Sequence, residues 1–219
     1  MSYSSSLIDV ADSLVLDTSV LINLHACMYG ERILSALPNH IVISDVVAGE
    51  LELEASRRDG EYSFLNSLIT NGIVTLVSLT ETEFEVFQTL TSTTPSLDDG
   101  EAATIAVAAC RNYLPVLDER KGRSRVPANC DGNLPCWSLD IFQHPQVIEI
   151  LGVPDSTEAL YLALRKGRMR VHEDHCDHVV GLIGVQRALE CNSLPGYKFR
   201  QQEWQAVTLL ERSLTTTSE

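Results

Sequence analysis

Long apolar runs are missing from this chain of 219 residues. Charge or glycine interrupts each candidate within a few positions, which excludes an obvious membrane-crossing segment. Basic residues are scarce: 16 Lys and Arg stand against 30 Asp and Glu, a formal net charge of −14. That balance argues against a protein whose main work is non-specific attraction to nucleic acid, because phosphate binding relies on Lys and Arg. It does not exclude a nuclease, since carboxylates grouped to hold a metal count as negative in the sum. No CxxC pair occurs among the six cysteines. Most are expected to be reduced thiols, with the apolar-flanked Cys110 a core filler. Cys130 and Cys136 are near neighbours, but their spacing fits no common zinc pattern. The opening stretch, Met1 to Asp12, has neither the basic start nor the apolar core of a signal peptide, so a cytoplasmic protein without membrane association is the expectation. No internal repeat is visible. No Ser/His or Cys/His pair offers itself for covalent catalysis.

What is present is enough apolar material, 44%, for one domain with additions. Ser13 to Leu16 reads as a short apolar strand, and Val20, Leu21, Leu24 and Cys27 then recur at helical spacing. Ile41 to Ile43 is a second strand without polar alternation, as in parallel strands covered on both faces. Ser44 or Asp45 can cap the next helix. Asn71-Gly72 turns into a third strand, Ile73 to Val77, and Thr80 with Glu83 opens a helix through a capping box. Asp98 or Asp99 caps an Ala-rich helix, Glu101 to Cys110, and Pro115 to Leu117 is a fourth strand. This alternation predicts right-handed crossovers and a mostly parallel sheet between helical layers. Further on, residues 126–143 read as a loop and Val147 to Leu151 as a fifth strand. Helices follow from Ser156, from Asp174 to Leu189 and from Gln201 to Ser213.

Asp17 and Asp118 each sit where an apolar strand ends, and Glu50 and Glu101 each sit in the first turns of a helix. In a parallel sheet these places share one edge. Four converging carboxylates repel one another unless a cation joins them. Hard oxygen ligands of this kind suit Mg²⁺ or Mn²⁺, and such ions support hydrolysis of a phosphodiester. Singly, each acid is as well explained as a helix cap or a partner of the helix dipole.

The run Leu14-Val15-Leu16-Asp17-Thr18-Ser19-Val20-Leu21-Ile22 resembles the opening motif of PIN domains. Ile43 to Leu51, Leu97 to Ala106 and Val116 to Arg123 are similar to the family's next three motifs, in the same order and at similar intervals. The resemblance implies a three-layer α/β/α sandwich with a central, mostly parallel sheet. It covers residues 13–125, with a looser echo from Val147 to Gly167, so the expected domain is 13–167 with an insertion at 126–145, followed by a C-terminal helical extension over 168–219. It also implies that Asp17, Glu50, Glu101 and Asp118 are metal-binding catalytic acids for Mg²⁺ or Mn²⁺. Thr18 or Ser19 would add a hydroxyl contact, and Asp98 or Asp99 would serve as an outer acid. The activity implied is endoribonuclease cleavage of RNA. Many members are toxins held by a cognate antitoxin, and many form homodimers.

Arg120, Lys121, Arg123 and Arg125 directly follow Asp118. They are candidates to grip RNA phosphates, weighed equally against an ordinary solvated loop. Arg165 to Arg170 ends a predicted helix, where the dipole favours cations anyway. His172, His175, Cys176 and His178 include plausible zinc ligands but find no partner set elsewhere, and a solvated face is the preferred reading. Trp137, Tyr161 and Trp204 are assigned to cores or interfaces rather than to base stacking. Two other classes compete with the nuclease: a nucleic-acid-binding or scaffold protein on a PIN-like fold without cleavage of its own, and a haloacid-dehalogenase-type phosphotransferase. The second wants an Asp two residues after the first, where this chain has Ser19.

Overall fold

The first strand is only three residues long, β1 (Leu14–Leu16), and all three are buried. A computed structural model, describing residues 3–54 and 60–216, continues it at once into α1 (Thr18–Ala26). Then come α2 (Gly30–Ala36), β2 (Ile41–Ser44), α3 (Asp45–Glu54) and α4 (Glu61–Thr70). The series continues with β3 (Val74–Val77), α5 (Glu81–Ser92), α6 (Asp99–Arg111) and β4 (Leu114–Val116). Caps set several starts. The Ser44 hydroxyl accepts from Val47 N at 3.2 Å, and Thr80 and Glu83 form the expected capping box. Asp98, rather than Asp99, accepts from Glu101 N at 2.8 Å. Each cap satisfies an N–H that the first helical turn leaves free.

The four strands are parallel, in the order β3-β2-β1-β4. Leu14 pairs with Ile41 on one side and with Leu114 on the other. Because side chains alternate along a strand, Leu14, Leu16, Ile41 and Ile43 enter one core and Val15 and Val42 the other. The first core is shared with α1, α2 and α4, the second with α5 and α6. Three layers result, a helical layer on each face of the sheet, as the sequence pattern predicts.

Beyond β4 the sequence reading needs correction. Arg120 to Asn129 is helix α7 rather than loop. After it, Cys136 bridges to Val116 as the start of a fifth position in the sheet, and α8 (Ser138–Phe142) follows. Val147 to Leu151, expected as a strand, lies in α9 (Pro145–Leu151). Val147 and Leu151 are buried four residues apart while Ile150 is 58% exposed, which is helical and not strand periodicity. Pro145 at the first helical position favours that outcome.

α10 (Val153–Leu162) runs into a π turn, Ala163–Gly167. The expected helix from Asp174 to Leu189 is broken. A 3₁₀ turn at Glu173–His175 leads into α11 (Cys176–Ile183), and Gly184, at φ 85°, separates it from α12 (Val185–Ala188). A glycine takes that left-handed conformation at little cost. The last helix, α13 (Tyr197–Thr216), packs Trp204 into the first core. Cys110 is exposed, not a core residue, whereas the other five cysteines are buried free thiols. Among the described residues no helix is long and apolar enough to cross a membrane.

Candidate active site

β1 lies between β2 and β4, because the chain winds from β1 out to β3 on one side and then crosses back to place β4 on the other. A switch of this kind opens a crevice at the carboxyl ends of the strands. Asp17 and Asp118 stand at that crevice, and Asp17 N still donates to Val116 O at 3.2 Å, extending the ladder between β1 and β4.

Asp17 is 3% exposed and caps α1. Its Oδ2 accepts from Ser19 N at 3.2 Å and from the Ser19 hydroxyl at 2.7 Å, which leaves Oδ1 open. Burial, with repulsion from Asp98 adding to it, pushes its pKa up to about 7, against the pull of the Ser19 bond. Glu50, on the first turns of α3, accepts from Gly100 N at 2.8 Å and from the Thr18 hydroxyl. Its affinity for a proton is raised by burial, with Asp98 and Asp99 contributing. Gly100 leaves room for these side chains: a Cβ on it would stand 2.6 Å from Glu50 Oε2 and 2.9 Å from Thr18 Oγ1, displacing them.

Glu101 is buried at the start of α6 and accepts from Gly122 N, in the first turn of α7, at 3.0 Å. Its pKa is raised by burial and then by Asp98. Asp118 is held more tightly than the others. Oδ1 accepts from Ser138 N at 2.8 Å, and Oδ2 accepts from the Ser138 hydroxyl at 2.7 Å and from Asn23 Nδ2 at 2.6 Å. Burial pushes it up to about 6, with the Ser138 bonds and Arg123 opposing.

Asp17, Thr18, Ser19, Glu50 and Asp98 line one cleft of about 420 Å³, with Glu119 opposite. Asp118 lines two adjoining clefts, of about 730 and 570 Å³. Glu101 lines none of these three and stays beneath α7, and Asp99 is an exposed first-turn residue. The expected hydroxyl contacts therefore go to the acids themselves, Thr18 to Glu50 and Ser19 to Asp17.

Of the basic residues after Asp118, Arg120 and Arg123 line the 570 Å³ cleft. Lys121 is exposed, and Arg125 donates to Pro95 O at 3.1 Å. The second basic cluster does more than end a helix. Arg168 and Arg170 reach the clefts around Asp118, and Arg170 pairs with Glu119 at 2.8 Å. They arrive there because the π turn packs on α1 so closely that a Cβ on Gly167 would meet Asn23 Oδ1 at 2.7 Å. Trp137 likewise lines the cleft instead of filling a core. Sequence reasoning missed Asn23, Ser138 and Glu119. Asn23 left one clue, a polar side chain on the apolar stripe of α1. Ser138 left none, since its contact depends on the Cys136 bridge.

No group of three or more His, Cys, Asp or Glu side chains forms a ready-made metal cage among the described residues. The donor set nevertheless fits a hard divalent cation that keeps most of its water. Asp17 Oδ1 is open toward the cleft, and burial, with Asp98 adding to it, raises the proton affinities of Asp17, Glu50 and Glu101, so that a bound cation would favour their charged forms.

A parallel sheet between helical layers, with acids gathered at its carboxyl edge, makes a three-layer α/β/α sandwich. The PIN domain profile matches residues 13–128, just over half of the chain, and the chain belongs to the PIN-domain family. PIN domains are generally nucleases that bind divalent metals. Comparison with curated proteins and with solved structures gave no match.

Proposed function

We propose that this chain is a metal-dependent endoribonuclease that hydrolyses RNA phosphodiester bonds. The observation that carries the proposal is the convergence of Asp17, Glu50 and Asp98 on one cleft at the β1–β4 edge, with Asp118 on the clefts beside it. Asp17, Glu50 and Asp118 are the residues we assign to holding Mg²⁺ or Mn²⁺, with Glu101, now beneath α7 and bonded to Gly122 N, joining them only by giving up that bond. Such an ion, when bound, polarises the attacked phosphate and lowers the pKa of water. The chain's own contribution is orientation and charge. Ser19 and Thr18 fix the carboxylates of Asp17 and Glu50, and Ser138 and Asn23 fix that of Asp118. Fixed geometry of this kind lowers the reorganisation needed in the reaction. Arg120, Arg123 and Arg170 supply positive charge for the phosphates on either side of the bond to be cut.

The test is cleavage of single-stranded and structured RNA by the purified protein in Mn²⁺ or Mg²⁺ against EDTA, with Asp17→Asn in parallel. Metal-dependent cutting that falls on the order of a hundredfold or more in the variant is expected. A folded Asp17→Asn protein that cuts as fast as the native chain sinks the proposal. Cutting of DNA in place of RNA would redirect it to another substrate.

A further inference from the structure

Two stretches outside residues 13–128, the part that matches the PIN domain profile, close a cleft beside Asp118. Leu134, Pro135 and Trp137 come from the connection between α7 and α8, and Val171 and His172 from the connection after the π turn. The resulting space, about 570 Å³, also receives Arg120, Arg123 and Arg170. Its chemistry is unlike that of the acid-lined cleft next door. It combines three guanidinium groups with an indole, an imidazole and apolar walls.

The aromatic rim is packed by contacts within the chain. The Arg123 guanidinium lies 3.5 Å from the centre of the Trp137 ring, and its Nε is buried without a hydrogen-bond partner. His172 stands 5.9 Å from the indole at 55°, and His175 packs against it edge-on at 5.3 Å. Arg120 and Arg123 belong to the first turn of α7, where the helix dipole opposes cations. The charge is thus concentrated at a place that local stability disfavours. Arg170 is tied to Glu119, which joins this rim to the acidic cleft, and Glu173 is the acid at the cleft's other end.

Bases stack on aromatic and guanidinium planes, and arginines receive phosphates. A cavity of this size admits one nucleotide-sized ligand. In a duplex the base faces are already stacked on one another and are not offered. We propose that this cleft holds one unpaired nucleotide of the substrate strand, its base against the rim of Trp137 and His172 and its phosphates on Arg120 and Arg170. The neighbouring phosphate of the same strand is then the one presented at Asp118. The inference rests on the nuclease reading above and adds to it a base-holding subsite built from residues outside the stretch that matches the family, Trp137 and His172.

Binding is read by anisotropy of a short labelled RNA strand in EDTA and in Ca²⁺, alone and annealed into a duplex. The single strand is expected to bind at least about tenfold more tightly than the duplex. Trp137→Ala should weaken it about tenfold, the usual scale for a lost base stack. Trp137→Phe should keep most of the affinity, and His172→Ala, at an exposed position, should lose several-fold without loss of folding. Equal binding of duplex and single strand overturns the proposal. So does a Trp137→Ala protein with native affinity, or displacement of the strand by polyglutamate as readily as by RNA, which would point to an acidic protein partner. The two readings fail separately. Binding that depends on Trp137 without cutting in any metal removes the nuclease and keeps the pocket. Cutting and binding indifferent to Trp137 do the reverse.

Discussion

Asp17 and Asp118 are built on one local plan and live in different surroundings. Each follows a buried strand, each is nearly inaccessible, and the two strands are neighbours. Around Asp17 the neighbours are acids, Glu50 and Asp98, and its hydrogen bonds come from Ser19, two residues on. Around Asp118 the bonds come from Asn23 and Ser138, 95 and 20 residues away, and arginines of two separate segments stand close by. The contrast teaches that where an acid sits is a local matter, while what surrounds it is decided by distant chain. One side of the crevice is left short of positive charge, and the other is supplied with it.

The comparison breaks first, if it breaks, on pH and metal. Asp17 is pushed up to about 7 from 3.8, and Asp118 to about 6. Between roughly pH 4 and 7 the folded chain therefore keeps protons that the unfolded chain has already lost, so stability falls as pH rises through that window. In EDTA the melting temperature should be higher near pH 5 than near pH 8, with a difference on the order of a few kcal/mol in stability. Added Mn²⁺ should recover most of the loss at pH 8. A flat profile without metal would mean that the acids around Asp17 are not under electrostatic strain.

A second effect separates geometry from stability on the acidic side. Gly100→Ala drives a methyl group to within 2.6 Å of Glu50 Oε2. Because a flexible carboxylate can retreat, stability should change by about 1 kcal/mol or less, with the gain in helix propensity offsetting the crowding. Cleavage should nevertheless drop by up to about a hundredfold, the usual scale for a misplaced catalytic group. Gly49→Ala is its counterpart: nothing stands within 4 Å of the added Cβ. That variant should be more stable by about 0.5–1 kcal/mol and cut normally. Denaturant melts and initial rates on the two proteins give both readings.

A third effect, smaller than the loss of cleavage in Gly100→Ala, sharpens the basic side. Ser138→Ala removes the hydroxyl that donates to Asp118 Oδ2 at 2.7 Å and leaves the backbone bond from Ser138 N in place. A loss of about 1–2 kcal/mol is expected by urea denaturation. No loss would show that Asn23 and the Ser138 backbone N–H suffice to hold Asp118.

Legibility in the sequence follows the same division. The strand at Leu14 to Leu16 could be read because three apolar residues end abruptly at a polar one, and its buried neighbours, Ile41 to Ile43, carry the same unalternated pattern. The caps were legible, Thr80 outright and Ser44 and Asp98 each as one of two neighbouring candidates, because each acts within three residues. Val147 to Leu151 misled for the opposite reason: a short β-branched run suits a strand or a buried helix equally, and only packing on α2 and α10 decides. The Arg165 to Arg170 cluster could be placed at a helix end, but not beside Asp118. That position depends on the contact of Gly167 with Asn23.

By itself the sequence determined the order of the four strands through residue 118, the three-layer sandwich and the four acids placed at strand ends and helix starts. These depend on side-chain periodicity and on hydrogen bonds that close within a turn. It did not determine the second helices of the first two connections, α2 and α4. The tertiary structure alone decided which acids share a cleft, that Ser138 and Asn23 grip Asp118, and that Trp137, His172 and Arg170 meet beside it. Those contacts join residues tens of positions apart, and no local preference of the chain encodes a distance between them until the sheet and its helices have packed.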